Sequence, residues 1–145
     1  PQHHSSAASD VYKRQVGDGP YLETLKRKYP FVKFVGKLEG IDLARYYASA
    51  DAFVFPSKTD TFGIVILESI ACGTPVLAYD EPGPKEVIQE NINGCIVHSD
   101  QQYGFENGLS SKIDQVLNVS RDSTQFSSKK WTWQDSALDF LENIK

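Results

Sequence analysis

The chain has 145 residues, 40% of them apolar, and a formal net charge of −4, which is one domain's worth of sequence with enough apolar content for a real core. Acids and bases are mixed along it, so neither a nucleic-acid footprint nor a polybasic membrane patch is predicted, and no run approaches the ~20 apolar residues of a membrane helix. Cys72 and Cys95 stand apart, without CxxC spacing or a neighbouring His cluster; they read as small buried residues in a reducing, cytoplasmic setting, and no metal or other cofactor is expected.

Residues 1–15, PQHHSSAASDVYKRQ, are polar and aperiodic, with His3-His4 and a Ser/Ala run in the manner of tags and scars. They are set apart as a disordered or non-native leader, the alternative being that 11–16 includes a native strand. Val16 then ends a strand, and Gly17-Asp18-Gly19-Pro20 turns into a helix of about ten residues with Tyr21, Leu22, Leu25 and Tyr29 on one face, closed by Pro30. Its GxG is a weak phosphate signal; turn glycines at unusual backbone angles are the blander reading. Residues 31–35 form the next strand, ending in Gly36-Lys37-Leu38. Residues 39–50 form a helix through Ile41, Leu43, Ala44, Tyr47 and Ala48, with Arg45 on the far side. Tyr46 and Tyr47, at helical spacing, are assigned to the core rather than to a stacking platform.

The chemistry concentrates in residues 53–79, FVFPSKTDTFGIVILESIACGTPVLAY. A short apolar run, 52–55, is stopped by Pro56 and Ser57 as a buried parallel strand would be at its carboxyl end. After a polar loop, 58–61, an apolar helix begins at Phe62 and stops at Gly73 with Pro75 just beyond. Residues 75–79 are the following strand. Strand, loop, helix and strand make one βαβ unit, and in open parallel sheets ligands settle beyond the carboxyl ends of the strands. Asp60 in the loop and Glu68 on the helix fall in that region. Glu68 is the anomaly, since Ile64, Val65, Ile66, Leu67, Ile70 and Ala71 surround it; an acid there needs water, a partner or a ligand. Gly63 lies near the helix start, where free N–H groups and the dipole accept phosphate.

Beyond the βαβ unit, residues 80–84 form a Pro-rich acidic loop and 85–90 a short helix carrying Glu86. Residues 91–94 turn into the last strand, Gly94–Val97, and His98, directly after it, is read as structural rather than catalytic. Leu109, Ile113, Val116 and Leu117 mark an amphipathic helix; 120–130 is polar and expected to be partly irregular. Thr132 and Asp135 form a weak capping pair, and Trp133, Ala137, Phe140, Leu141 and Ile144 repeat at helical spacing, giving a C-terminal helix over 129–145. The domain proper is drawn over 16–128.

These residues resemble the retaining, nucleotide-sugar-dependent glycosyltransferases of group 1 (family four), which have the two-domain GT-B fold. The resemblance rests on Pro56-Ser57, Asp60, Phe62-Gly63, Glu68 and Ala71-Cys72-Gly73-Thr74-Pro75-Val76. It extends over Val16-Gly17-Asp18-Gly19-Pro20, Phe34-Val35-Gly36, Gly83-Pro84-Lys85-Glu86-Val87-Ile88 and Gly94-Cys95-Ile96-Val97. Asp60 departs from the pattern, the commoner residue there being Glu. The resemblance implies an α/β, Rossmann-like doubly wound parallel sheet, the C-terminal, donor-binding half of such an enzyme. It also implies that Glu68 holds the ribose and Asp60 the donor sugar as the catalytic pair, and that backbone around Thr61, Phe62, Gly63 and Ile64 meets the sugar and diphosphate. Gly36, Lys37 and Leu38 would line the base, although Lys37 reads equally well as a plain surface lysine. Glu86 would fix the cleft-mouth loop, or else complement a helix dipole.

The implied partners are a nucleotide-sugar donor and a sugar, lipid or other acceptor held by an N-terminal domain, with peripheral membrane association of the full-length protein left open. The Arg and Lys that clamp the diphosphate in the family would lie upstream of Val16. A truncated donor-binding domain is therefore expected, with a gap between the strand of Val16 and that of 52–55, poorly stable and inactive alone. The other readings are a non-catalytic nucleotide-sugar-binding module and a receiver-like α/β domain; the latter lacks its acidic cluster between Val16 and Gly36.

Overall fold

Strands and helices alternate along the chain: β1 (Arg14–Val16), α1 (Leu22–Lys28), β2 (Lys33–Gly36), α2 (Gly40–Ser49), β3 (Phe53–Phe55), α3 (Ile64–Ala71), β4 (Val76–Tyr79), α4 (Pro82–Val87), β5 (Gly94–Val97), α5 (Gly104–Leu117) and α6 (Arg121–Ser127), then a 3₁₀ turn at Ser128–Lys130. The structure is a computed structural model that describes residues 13–59, 63–98 and 104–132, with the backbone alone over 104–110. The chain divides into two units, Pro1–Leu43 and Ala44–Lys145, the division falling within α2.

In the first unit β1 and β2 pair in parallel, Arg14 opposite Lys33 and Gln15 opposite Phe34, before an irregularity brings Val16 opposite Gly36. The strand thus begins at Arg14, ahead of the boundary drawn at residue 16. Its exposed, polar first residues give no alternation to read. α1 is shorter than expected, because the Tyr29 N–H already closes onto the Leu25 carbonyl. None of its residues is buried; of the apolar stripe that defines this helix in the sequence, Leu22 and Tyr29 are half-buried while Tyr21 and Leu25 are exposed. Among the described residues, none before Tyr47 is buried.

The second unit contains the core. β3, β4 and β5 are parallel in that order, with Phe53 opposite Val76, and Val76 opposite Gly94. Because side chains alternate across a strand, β4 divides the core in two. Val76 and Ala78 pack with Ile66 and Ile70 of α3, Val87 and Ile88; Leu77 and Tyr79 pack with Cys95, Val97, Val116 of α5 and Val119. Helices cover both faces, which is why β4 and β5 are buried throughout and read as continuous apolar runs. β3 ends the sheet and is only half covered, Val54 being 39% exposed, where the apolar run predicts a buried strand.

Three elements depart from their predicted form. α4 starts at Pro82, taking the prolines of the expected loop into its first turn, where a missing N–H costs nothing. Leu117 is 42% exposed while Val116 one position earlier is fully buried. Residues 121–127, within the polar stretch expected to be partly irregular, form α6, capped by Ser120, whose hydroxyl accepts the Ser123 N–H. Its buried Thr124 and Ser127, together with Arg121, bond to groups far away in the sequence, and this tertiary anchoring overrides weak propensity. The C-terminal helix from Trp133 onward lies outside the described residues.

Candidate functional site

α3 is the element on which the predicted site turns. Gly63 opens it at φ +63°, a left-handed conformation, and a Cβ there would come within 2.9 Å of the buried Ile66 side chain. Its carbonyl accepts the N–H groups of Ile66 and Leu67, so those of Ile64 and Val65 precede the first intrahelical bond. The Ile64 side chain is 63% exposed, whereas Gly63 itself is buried.

Glu68 sits on the same helix between the buried Ile66, Ser69 and Ile70, yet it is exposed. The requirement set by the sequence, water or a partner for an acid on an apolar helix, is met twice over. Its Oε2 accepts from the Tyr47 hydroxyl at 3.4 Å, a long bond by the usual O–H···O standard. Tyr47 is core, as its spacing predicts, with its ring edge-on to Phe53 at 5.3 Å between centroids; its polar tip is what spacing could not assign. Burial first, then the Glu68 carboxylate, push its phenol far above the ordinary range, so it stays protonated and donates. The Tyr47 carbonyl accepts the Thr74 hydroxyl. Arg121 reaches the carbonyls of Ala48 and Ala50, each at 2.7 Å, and closes the last turn of α2. Nothing in the polar stretch around Arg121 signals this role beforehand.

The other predicted residues fall into two groups. Gly36 ends β2 at φ +78° and its carbonyl accepts the Gly17 N–H; Lys37, exposed, pairs with Glu39 at 2.6 Å; Leu38 is half-buried. These three belong to the unit Pro1–Leu43, whereas Gly63, Ile64 and Glu68 belong to Ala44–Lys145. Asp60, Thr61 and Phe62 lie outside the described residues. Glu86 falls in the second turn of α4, whose first turn holds no acid, which removes the dipole reading.

At the carboxyl ends of β4 and β5 the structure pairs residues that the sequence left separate. Asp80 meets Lys85 through Oδ1 and His98 through Oδ2, each at 2.6 Å. These two neighbours, Lys85 foremost, hold its carboxyl below the usual range. A carboxyl depressed in the folded state adds stability at neutral pH that disappears as the group is protonated. Asp80→Asn is therefore expected to lower the melting temperature at pH 7, with the difference from the parent narrowing below about pH 4. Thermal denaturation between pH 7 and 3 checks this, and a difference that does not change with pH would rule it out.

Both cysteines are free, and burial pushes both thiols up, so neither suits nucleophilic chemistry. Among the described residues, no three His, Cys, Asp or Glu side chains cluster as metal ligands, and no helix is long and apolar enough to cross a membrane.

The family of glycosyl transferases group 1 matches over residues 10–130. The GDP-mannose-dependent alpha-mannosyltransferase of Corynebacterium glutamicum is 32% identical over 143 residues, covering 95% of this chain and 34% of its own. The alpha-monoglucosyldiacylglycerol synthase of Streptococcus pneumoniae is 31% identical over 151 residues, covering 95% and 33%. Among solved structures, Anabaena HepE in complex with UDP superposes with a TM-score of 0.70 at 23% identity, over 92% of this chain and 40% of that one; at that identity the likeness is one of fold. The chain spans about a third of the length of these curated relatives.

Proposed function

The chain belongs to the glycosyl transferases of group 1, and from that premise we propose that it is the donor-binding part of a GT-B enzyme that passes a sugar from a nucleotide-sugar to an acceptor with retention at the anomeric carbon. The observation that carries this reading is Glu68: an exposed carboxylate on a mostly apolar helix whose N-terminus is opened by a left-handed glycine.

The chemistry follows from these groups. A carboxylate accepts hydrogen bonds from both hydroxyls of a vicinal diol, so Glu68 takes the ribose and Asp60 the sugar hydroxyls. The N–H groups of Phe62, Gly63 and Ile64 face the β-phosphate end. Fixed dipoles there offset the charge that develops on the departing diphosphate without reorganising at the moment of reaction. Gly36, Lys37 and Leu38 contact the base, mainly through the backbone. The acceptor, a sugar, a lipid or another nucleophile, is held by a second domain, in keeping with the greater length of the relatives. On this reading the chain by itself binds donor and does not turn it over.

Calorimetric titration with UDP, GDP and their sugar conjugates tests the proposal. One of the two nucleotides is expected to bind, and Glu68→Ala to weaken it by about 1–3 kcal/mol, the cost of leaving hydrogen-bonding partners unpaired. Equal affinity of parent and Glu68→Ala for every nucleotide would remove Glu68 from the site.

A further inference from the structure

Resting on the reading of Glu68 as the ribose acceptor, we propose that Tyr47 is its positioning residue: the phenol donates to the carboxylate and holds it in the rotamer that receives the ribose diol. Nothing in the matched motifs points to Tyr47, whose place in the chain is that of a core aromatic on an amphipathic helix.

The geometry separates it from an ordinary core tyrosine. Tyr47 is 8% exposed and comes from α2, yet its hydroxyl ends at Glu68 on α3. Its backbone is held by the buried Thr74 hydroxyl, and the last turn of its helix by the Arg121 guanidinium. Arg121 Nη2 also lies 3.4 Å from both the Cys72 carbonyl and Thr74 Oγ1, which ties the end of α2 to the segment leaving α3. Phe53 packs against the ring from β3. Ring, backbone and helix end are each anchored, so the phenolic oxygen is a fixed point.

Glu68 by contrast is an exposed side chain, and a ligand that has to order such a side chain loses affinity for doing so. A fixed donor beside it removes part of that cost before the ligand arrives. Burial and the neighbouring carboxylate keep the phenol protonated, so it can only donate to Glu68. The 3.4 Å spacing is that of a contact free to tighten when the diol engages the second carboxylate oxygen.

The test is a calorimetric double-mutant cycle on the chain with UDP or GDP, whichever binds tighter, and with the corresponding 2′,3′-dideoxynucleoside diphosphate. Tyr47→Phe keeps the ring against Phe53 and removes only the hydroxyl. It is expected to weaken the ribonucleotide about three- to tenfold, the range of a single hydrogen bond, to leave the dideoxy analogue unchanged, and to add nothing to Glu68→Ala. A purely structural role would weaken both nucleotides alike and lower the melting temperature, the pattern expected of Tyr47→Leu. If Tyr47→Phe does not fold, 3-fluorotyrosine at position 47, a stronger donor of nearly the same shape, takes its place and is expected to tighten only the ribonucleotide. A silent Glu68→Ala overturns the reading of the site. An effective Glu68→Ala with Tyr47→Phe silent, additive to it, or equal on both nucleotides overturns the positioning role alone.

Discussion

Gly94→Ala is expected to abolish cooperative folding of the β3–β4–β5 sheet. A Cβ at Gly94 would lie 2.2 Å from the Val76 carbonyl oxygen and 3.1 Å from its carbon, with Ile88 Cγ2 at 3.2 Å. The first two are backbone atoms of the central strand, in register opposite Gly94. Overpacking costs about 1–3 kcal/mol where side chains can give way. Here the strands would have to separate, at a place where Val76 and Cys95 are both at 0% exposure. The loss should exceed about 4 kcal/mol, in the tail reserved for specific structural failures and a large part of the 5–15 kcal/mol typical of a domain. Urea denaturation followed by circular dichroism measures it; a variant that unfolds within about 1 kcal/mol of the parent would mean that the strands part far more easily than their burial implies.

Asn93→Ala should have the next largest effect. The Asn93 side chain is fully buried and bonded in three directions: Oδ1 accepts the Gln89 N–H at 2.7 Å, while Nδ2 donates to the Val87 carbonyl at 3.2 Å and the Ser127 hydroxyl at 3.0 Å. It terminates α4 and ties it to α6. Alanine leaves the Val87 carbonyl and the Ser127 hydroxyl buried without it, and the half-buried Gln89 N–H without its acceptor, at about 1–3 kcal/mol for each buried group left unsatisfied, so a total of about 3–5 kcal/mol is expected. Asn118→Ala, which loses one bond from an exposed amide to the Asp114 carbonyl, is the comparison and should cost less than about 1 kcal/mol. The expectation fails if the two variants have the same urea midpoint.

What could be read from the sequence depended on whether a feature was local. β4 and β5 were legible because a strand covered on both faces must be apolar throughout, and α3 because Gly73 and Pro75 end it. Glu68 was legible for the opposite reason, as a charge in an apolar run. α6 was not, since it is held by Arg121, Ser123 and Thr124 bonding to carbonyls of Ala48, Ala50 and Ile92; a polar segment gives no sign of which distant carbonyls it will meet. Asp80 and His98 were each visible but not their pairing, which arises because β4 and β5 run parallel with Tyr79 opposite Val97 and so deliver the next residues side by side. The run at β3 was read as a buried strand because an apolar run records which residues are apolar, not whether anything covers them.

The guanidinium that closes α2 also sets an order of events during synthesis. A ribosome delivers Arg121 71 positions after Ala50, whose carbonyl it holds. Until then the carbonyls of Ala48 and Ala50 are without that partner, and the anchoring of Tyr47 from that side waits for the last described helix to clear the exit tunnel. The residue proposed to hold the Glu68 carboxylate is thus fully anchored only once a segment 71 positions downstream of Ala50 has been made.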